Sequence, residues 1–216
     1  MALGLRSIRP FSGPQADAGP EFESLVGPFG WRRLHPDVRR RFSTGHAAAV
    51  TYPGRLDVAR NWAGFFFALG AKPFGGPLPI RQAQDAAAIV CVRSDGQGGV
   101  VWERWLELRP DHPPLRVAST KQTDANGQLL ECVDGGLGMA LRVFEQNHGL
   151  VFVSQSYFIT VLGRRIPLPN WLTPGVCRVE HHHVADGQFR FVMSVQHRLF
   201  GTTFSQTGIF HDGQDC

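Results

Sequence analysis

The stretch Cys177–Leu199, CRVEHHHVADGQFRFVMSVQHRL, decides the fold. In its second half Phe189, Phe191, Met193, Val195 and Leu199 alternate with Gln188, Arg190, Ser194, Gln196 and Arg198, with Val192 the one exception. Successive strand residues point to opposite faces, so the odd set marks a buried face, and His197 lies on it. In the first half Cys177, Val179, His181 and His183 form the odd face, against Arg178, Glu180 and His182 on the even one. A three-residue loop, Ala185 to Gly187 with glycine in the left-handed position, pairs residue 183 with 189 and 181 with 191. Both odd faces then share one interior, and the segment is an antiparallel hairpin.

The same punctuation recurs on the N-terminal side. Ser94-Asp95-Gly96, Asp124-Ala125-Asn126-Gly127 and Asn147-His148-Gly149 separate runs rich in Val, Phe, Ile and Trp. Everything after Ile80 therefore reads as strands and tight turns. The expected fold is mainly antiparallel β: a curved barrel or half-barrel of 8–10 strands, lipocalin-like or helix-grip-like, with two or three N-terminal helices. A short helix is expected over Pro20 to Val26. Another opens at His35-Pro36-Asp37, proline standing at the first helical position, and runs to about Phe42. Its run Arg39, Arg40 and Arg41 reads as a solvated face. A strand over Gly45 to Tyr52 is expected to break at Pro53 and Gly54. Leu56, Ala59, Trp62, Ala63, Phe66 and Leu69 recur at helical intervals and predict a core-facing helix over Arg55 to Leu69, closed by Gly70. Residues 1–20 read as a flexible tail and 21–216 as a single β-rich domain.

Parity names the candidate interior. The even face of Val100 to Leu108 holds Val100, Trp102, Leu106 and Leu108 with Arg104 among them. Leu137, Met139, Leu141 and Val143 put Glu145 inside. After the turn at 147–149, Val151, Val153, Ile159 and Val161 carry Gln155 and Tyr157 with them. The opposite face of that strand also holds Phe152, Phe158 and Leu162, which would suit a homodimer surface. An unpaired buried charge is costly, so Arg104 needs Glu131 or Glu145, a ligand anion, or water.

Composition excludes several classes. The chain has 216 residues, a formal charge of +4 and only two lysines, Lys72 and Lys121. Its arginines are scattered without the stripe that tracks a phosphate backbone, so no nucleic-acid partner is expected. No run approaches a membrane-spanning length, and no integral membrane segment is expected; Ala63 to Leu69 is long enough only to dip into a bilayer surface. Cys91, Cys132, Cys177 and Cys216 form no C-x-x-C pair. With no secretory signal, the reducing cytoplasm is the expected compartment. His181 and His183 share a face, but the hairpin register puts His197 roughly 20 Å from His181, too far for one ion. No metal and no cofactor are expected; a metal would need Glu145 or His46 from another strand. The glycines at 96–99 lie in a hairpin and form no nucleotide-binding loop.

From about residue 30 to 210 the chain resembles a bacterial family catalogued as a domain of unknown function, number 4166. The likeness rests on Trp102-Glu103-Arg104-Trp105, Ser119, Gly127-Gln128-Leu129-Leu130-Glu131, Ile166-Pro167-Leu168-Pro169 and Leu172-Thr173-Pro174. It continues in Asp186-Gly187-Gln188-Phe189-Arg190-Phe191, Leu199-Phe200-Gly201 and Gly208, and in Leu34-His35-Pro36 with Arg40-Arg41-Phe42. The chain departs from the family in carrying Ser205-Gln206 where a tyrosine precedes the last glycine. The resemblance implies a domain that also occurs fused to saccharopine-dehydrogenase-like modules; it implies no reaction. It makes Arg104 and Glu131 part of a recurring pattern.

The functional expectation is a cofactor-independent enzyme of isomerase, cyclase or dehydratase type, acting on a small apolar molecule. Arg104 would hold an oxygen, His181 or His183 would move a proton, and Glu145 with Tyr157 would assist. Trp102, Glu131, Gln155, Phe191, Met193 and His197 would line the pocket. The rivals are a non-catalytic carrier of lipophilic ligands and a protein-interaction module.

Overall fold

The computed structural model describes residues 19–43 and 49–215. The chain before residue 19, His46 and the start of the expected Gly45–Tyr52 strand lie outside them, as does Cys216. Twelve strands form: β1 (Val50–Arg60), β2 (Ala83–Ser94), β3 (Gly99–Leu106), β4 (Leu115–Thr123), β5 (Leu129–Cys132), β6 (Leu137–Gln146), β7 (Gly149–Val161), β8 (Arg164–Leu168), β9 (Val176–Ala185), β10 (Gln188–His197), β11 (Gly201–His211) and β12 (Gln214–Asp215). Ten of them pair in a ring, β1 to β7 in sequence and then β9, β10 and β11, with β11 returning to β1. All pairings are antiparallel, and the result is a closed, lipocalin-like barrel.

The β9–β10 hairpin has the register the alternation demands, Phe189 opposite His183 and Phe191 opposite His181. β7 departs from simple parity. Leu141 pairs with Ser154 but Ala140 pairs with Ser156, so Gln155 is the extra residue of a bulge. Before it the even residues Leu150, Phe152 and Ser154 are buried; after it Tyr157 and Ile159 face the interior. One parity carried through the strand therefore misplaces Val151, Val153 and Gln155. β7 also changes partner along one edge, from β9 at Leu150–Val153 to β8 at Tyr157–Val161. The Ser154 hydroxyl and Gly175 carbonyl span the gap, taking hydrogen bonds from Cys177 N (2.9 Å) and the Tyr157 hydroxyl (2.9 Å).

β1 runs on to Arg60, past the expected break at Pro53. That proline stands where β1 switches from β12 to β11, and a residue with no N–H fits an interrupted ladder. Leu56 and Val58 are buried with strand period, so the helix starts only at Trp62. This helix, α4 (Trp62–Ala71), is capped by Asn61, whose side chain accepts from Gly64 N at 2.9 Å. Its residue Gly70 lies within the helix and does not close it. A 3-10 turn follows over Lys72–Phe74, and a second covers Asn170–Leu172. α4 is not simply core-facing. Gly64 packs so close to the Thr203 carbonyl that no Cβ would fit, while Trp62, Phe66 and Leu69 are exposed.

Among the described residues three helices lie before β1: α1 (Phe22–Val26), α2 (Pro28–Arg33) and α3 (Pro36–Ser43). They plug one end of the barrel. Phe22, Trp31, Leu34, Val38 and Phe42 pack onto Leu129, Leu141, Val143, Leu150 and Phe152. A second buried cluster, led by Tyr52, Leu56, Phe189, Met193, Phe204 and Phe210, fills the wall formed by β1–β3 and β9–β11. Trp102, Met139 and Val179 touch both. The arginine run of α3 is not a solvated face throughout: Arg41 is buried, its Nε donating to Asp212 at 2.6 Å and its guanidinium lying over the Phe189 ring. Among the described residues no helix is long and apolar enough to cross a membrane.

Candidate functional site: an apolar cavity with a buried charge cluster

Above the plug the barrel encloses a cavity of about 630 Å³. Aromatic and aliphatic side chains from most strands form its walls. Its lining reaches the surface at Phe66 and Phe74, in and after α4, and at Leu172, in the segment after β8.

One patch of wall is charged. β3, β4 and β5 are neighbours, and their inward residues bring Arg104, Ser119, Lys121 and Glu131 together. Glu131 accepts from the Ser119 hydroxyl at 2.7 Å and lies 3.2 Å from Lys121 Nζ. Lys121 Nζ also sits over the Trp102 ring, 4.8 Å from its centroid. Arg104 has one hydrogen bond, to Ser119 Oγ at 3.5 Å, and its Nε is buried without a partner. Burial pushes the Lys121 ammonium pKa down, against the pull of Glu131, and the Arg104 charge adds to the fall. Burial alone would raise the Glu131 carboxyl, but Lys121, Arg104 and the Ser119 hydroxyl outweigh it and hold it below the usual range. Two cations thus face one anion in an apolar chamber, and the guanidinium is the less satisfied of the two. Cys177 is no nucleophile here: burial and the nearby Glu131 push its thiol up to about 12.

Of the residues singled out by sequence, Trp102, Arg104, Glu131, Tyr157, His181, Phe191 and Met193 line this cavity. His181 sits among the rings of Phe42, Trp102, Phe152, Phe189 and Phe191. Burial, with the charges of Lys121, Arg41 and His182, pushes its imidazole down to about 3, so it is neutral and weakly basic at pH 7. The Tyr157 hydroxyl is spent on the Gly175 carbonyl, and burial raises its pKa.

Four residues lie elsewhere. Glu145 keeps the parity of β6 but has passed below the cavity into the plug, where it pairs with Arg33 at 3.0 Å and accepts from His148 N. Gln155, the bulged residue, is exposed. His197 is stacked on Phe200 and accepts from Leu199 N at 3.1 Å. His183 has left the interior for α3.

There His183, His35 and Asp37 form a cluster with ligand atoms within 4.8 Å of one another. The two imidazoles are stacked, centroids 3.7 Å apart and planes 9° from parallel, and Asp37 bonds Arg40 at 2.6 Å. An imidazole donates to a metal in its ring plane, so two parallel rings do not converge on one ion, and Arg40 already neutralises the carboxylate. The arrangement joins helix to sheet: Asp37 Oδ2 is 3.1 Å from His183 Nδ1.

Sequence reasoning missed Lys121 and Ser119 as cavity residues. The available signal was the lysine itself, one of two in a chain that otherwise uses arginine for its cations.

The family model described as Domain of unknown function (DUF4166) matches residues 34–210, which include the whole charged patch and the rim of the cavity. No curated protein matches the chain.

Proposed function

This chain belongs to the DUF4166 family, whose description assigns no activity, and we propose from the cavity that it binds one small, largely apolar molecule bearing an anionic or strongly polarised oxygen. The observation that carries this is Arg104: a cavity-lining guanidinium with a single long hydrogen bond and an orphaned Nε. A buried donor left unmatched is costly, and an oxyanion of the ligand removes that cost. The cavity volume is that of ordinary small-molecule sites. Dodecanoate and dodecanol are suitable probes. Dodecanoate is expected to bind saturably and at least about tenfold more tightly than dodecanol, a gap of one charge-assisted hydrogen bond. Arg104→Met is expected to abolish the difference. Equal binding of acid and alcohol by the parent protein overturns the reading.

Lys121 and Glu131 favour a second, catalytic reading of the same chamber. A lysine with a lowered pKa, 3.2 Å from a carboxylate and beside a guanidinium, is equipped to pass a proton to and from a bound apolar substrate. Isomerisation, cyclisation or dehydration would need nothing further from the protein. In this reading the proton-moving pair is Lys121 and Glu131, with Arg104 polarising an oxygen and His181 serving as a neutral wall residue. Product analysis after incubation separates the readings: a chemically unchanged ligand leaves a carrier, and a product formed by the parent but lost in Lys121→Met and Glu131→Gln establishes an enzyme.

A further inference from the structure

The cavity mouth carries a second set of features that ligand binding does not require. Phe66, Phe74 and Leu172 line the cavity and are at the same time exposed on the surface, so the apolar lining continues outward. Beside them Trp62 is 65% and Trp171 74% exposed. At the tip of the β7–β8 hairpin, whose Ile159 and Leu168 face the cavity, Leu162 is 98% exposed. It also has φ 50°, a left-handed conformation that favours Asn or Gly over a branched apolar residue. A leucine held out in that conformation gains nothing from packing within the chain.

The charges around these side chains are mainly positive; the acid beside them is the exposed Asp134, in the β5–β6 turn whose Gly135 packs on Phe74. Residues 61–79, 157–177 and 196–204 contain Lys72, Arg164, Arg165 and Arg198, and neither Asp nor Glu. Arg165 turns back along the outer wall to Asp124. Lys72, Arg164 and Arg198 have no ion-pair partner among the described residues. At the plugged end Arg33, Arg40 and Arg41 pair with carboxylates, while Arg32 donates to the Pro28 carbonyl and Arg39 has no ion-pair partner among the described residues.

We infer that the mouth rim docks on an anionic lipid bilayer surface, so that the cavity opens directly into the membrane interface. Indole rings and aliphatic tips seat at the headgroup–acyl boundary, and exposed Lys and Arg above them meet the lipid phosphates. Rings shared by the rim and the lining give an apolar ligand a path from acyl chains to Arg104 that crosses no layer of water. The inference goes beyond the ligand reading and does not rest on its chemistry. A rim that binds vesicles around a cavity that prefers no acid would uphold the one and overturn the other.

The test is co-sedimentation of the full chain with vesicles of phosphatidylcholine alone and with a third phosphatidylglycerol, together with light scattering of the free protein. Binding to the anionic vesicles is expected, at least tenfold weaker to the neutral ones, and weakened by salt. The double substitution Phe66→Glu/Trp171→Glu is expected to lower the partition coefficient at least tenfold with its thermal midpoint unchanged, both side chains being exposed. Lys72→Glu/Arg164→Glu/Arg198→Glu is expected to erase the preference for anionic lipid. Absence of binding to either vesicle, or binding that survives both sets of substitutions, overturns the inference. So does a dimer in solution that the Phe66→Glu/Trp171→Glu variant dissociates while lipid binding is absent, since the rim would then be covered by a second copy.

Discussion

The two ends of the barrel are built from the same strands and treated in opposite ways. At one end three short helices drive Phe22, Trp31, Val38 and Phe42 into the opening, and Arg33, Arg40 and Arg41 there are held by Glu145, Asp37 and Asp212. At the other end a single helix leans on the rim, leaves Trp62 and Phe66 in the open, and stands among cations, Lys72, Arg164 and Arg198, that no carboxylate pairs among the described residues. A closed ladder satisfies its own backbone, so neither end is needed to complete the sheet. One end is therefore free to supply stability and the other to supply access. The residues that hold the fold and those that serve the ligand separate along the barrel axis.

The largest effect expected from this division is at the plug. Phe152 is fully buried between Phe22, Phe42 and His181, and Phe152→Ala is expected to cost about 3–5 kcal/mol in denaturant unfolding. A smaller loss is expected from Asp212→Ala. It strands the buried Arg41 guanidinium against the Phe189 ring, at about 2–3 kcal/mol, less than for a fully buried pair because Asp212 is partly exposed. His181, on the layer between plug and cavity, sharpens the comparison by pH. Its folded pKa of about 3 lies below the ordinary 6.5, so the unfolded chain takes the proton first. The contribution of this group is intact above about pH 6.5 and is lost as pH falls toward 3. His181→Phe is expected to gain thermal midpoint on the parent progressively across that window; a constant difference would mean the imidazole titrates normally. The smallest effect belongs to the mouth. Phe66→Ala is expected to change stability by less than about 0.5 kcal/mol, and a loss as large as that at Phe152 would break the distinction between the ends.

The register of the β9–β10 hairpin was legible from Phe189 to Val195, where one face is inward without a break; at its ends it was not, since Ala185 pairs with Gln188 across a shorter turn and Leu199, expected inside, is exposed. β7 was not, since an inserted Gln155 reverses the parity and no composition marks a bulge. The β1–α4 junction was misread for a related reason. Leu56 stands three residues before Ala59, which stands three and four before Trp62 and Ala63, a spacing that suits a helix, and the strand period of Leu56 and Val58 covers too few residues to compete. Arg104 was correctly singled out as a buried charge in search of a partner. Its neighbours Ser119 and Lys121 lie on a strand polar on both faces, where alternation carries no signal. Glu145 and His183 show a second limit. Parity tells which face a side chain takes but not its height along the axis, and both lie at the level of the helices and not of the cavity.

Closure of the ring through β1 and β11 has a kinetic side. It pairs Gly54 with Phe210 and Arg60 with Phe204, partners from nearly opposite ends of the described chain. During synthesis the other walls can form by hairpins, or across the β8 excursion where β9 joins β7, but the seam waits until residues 201–211 have emerged. Until then β1 and β10 are open edges, and the apolar lining lies bare along a curved sheet. Contacts of such long range close slowly, so folding is expected to be limited by this seam, with the nascent chain dependent on holding factors in the interval.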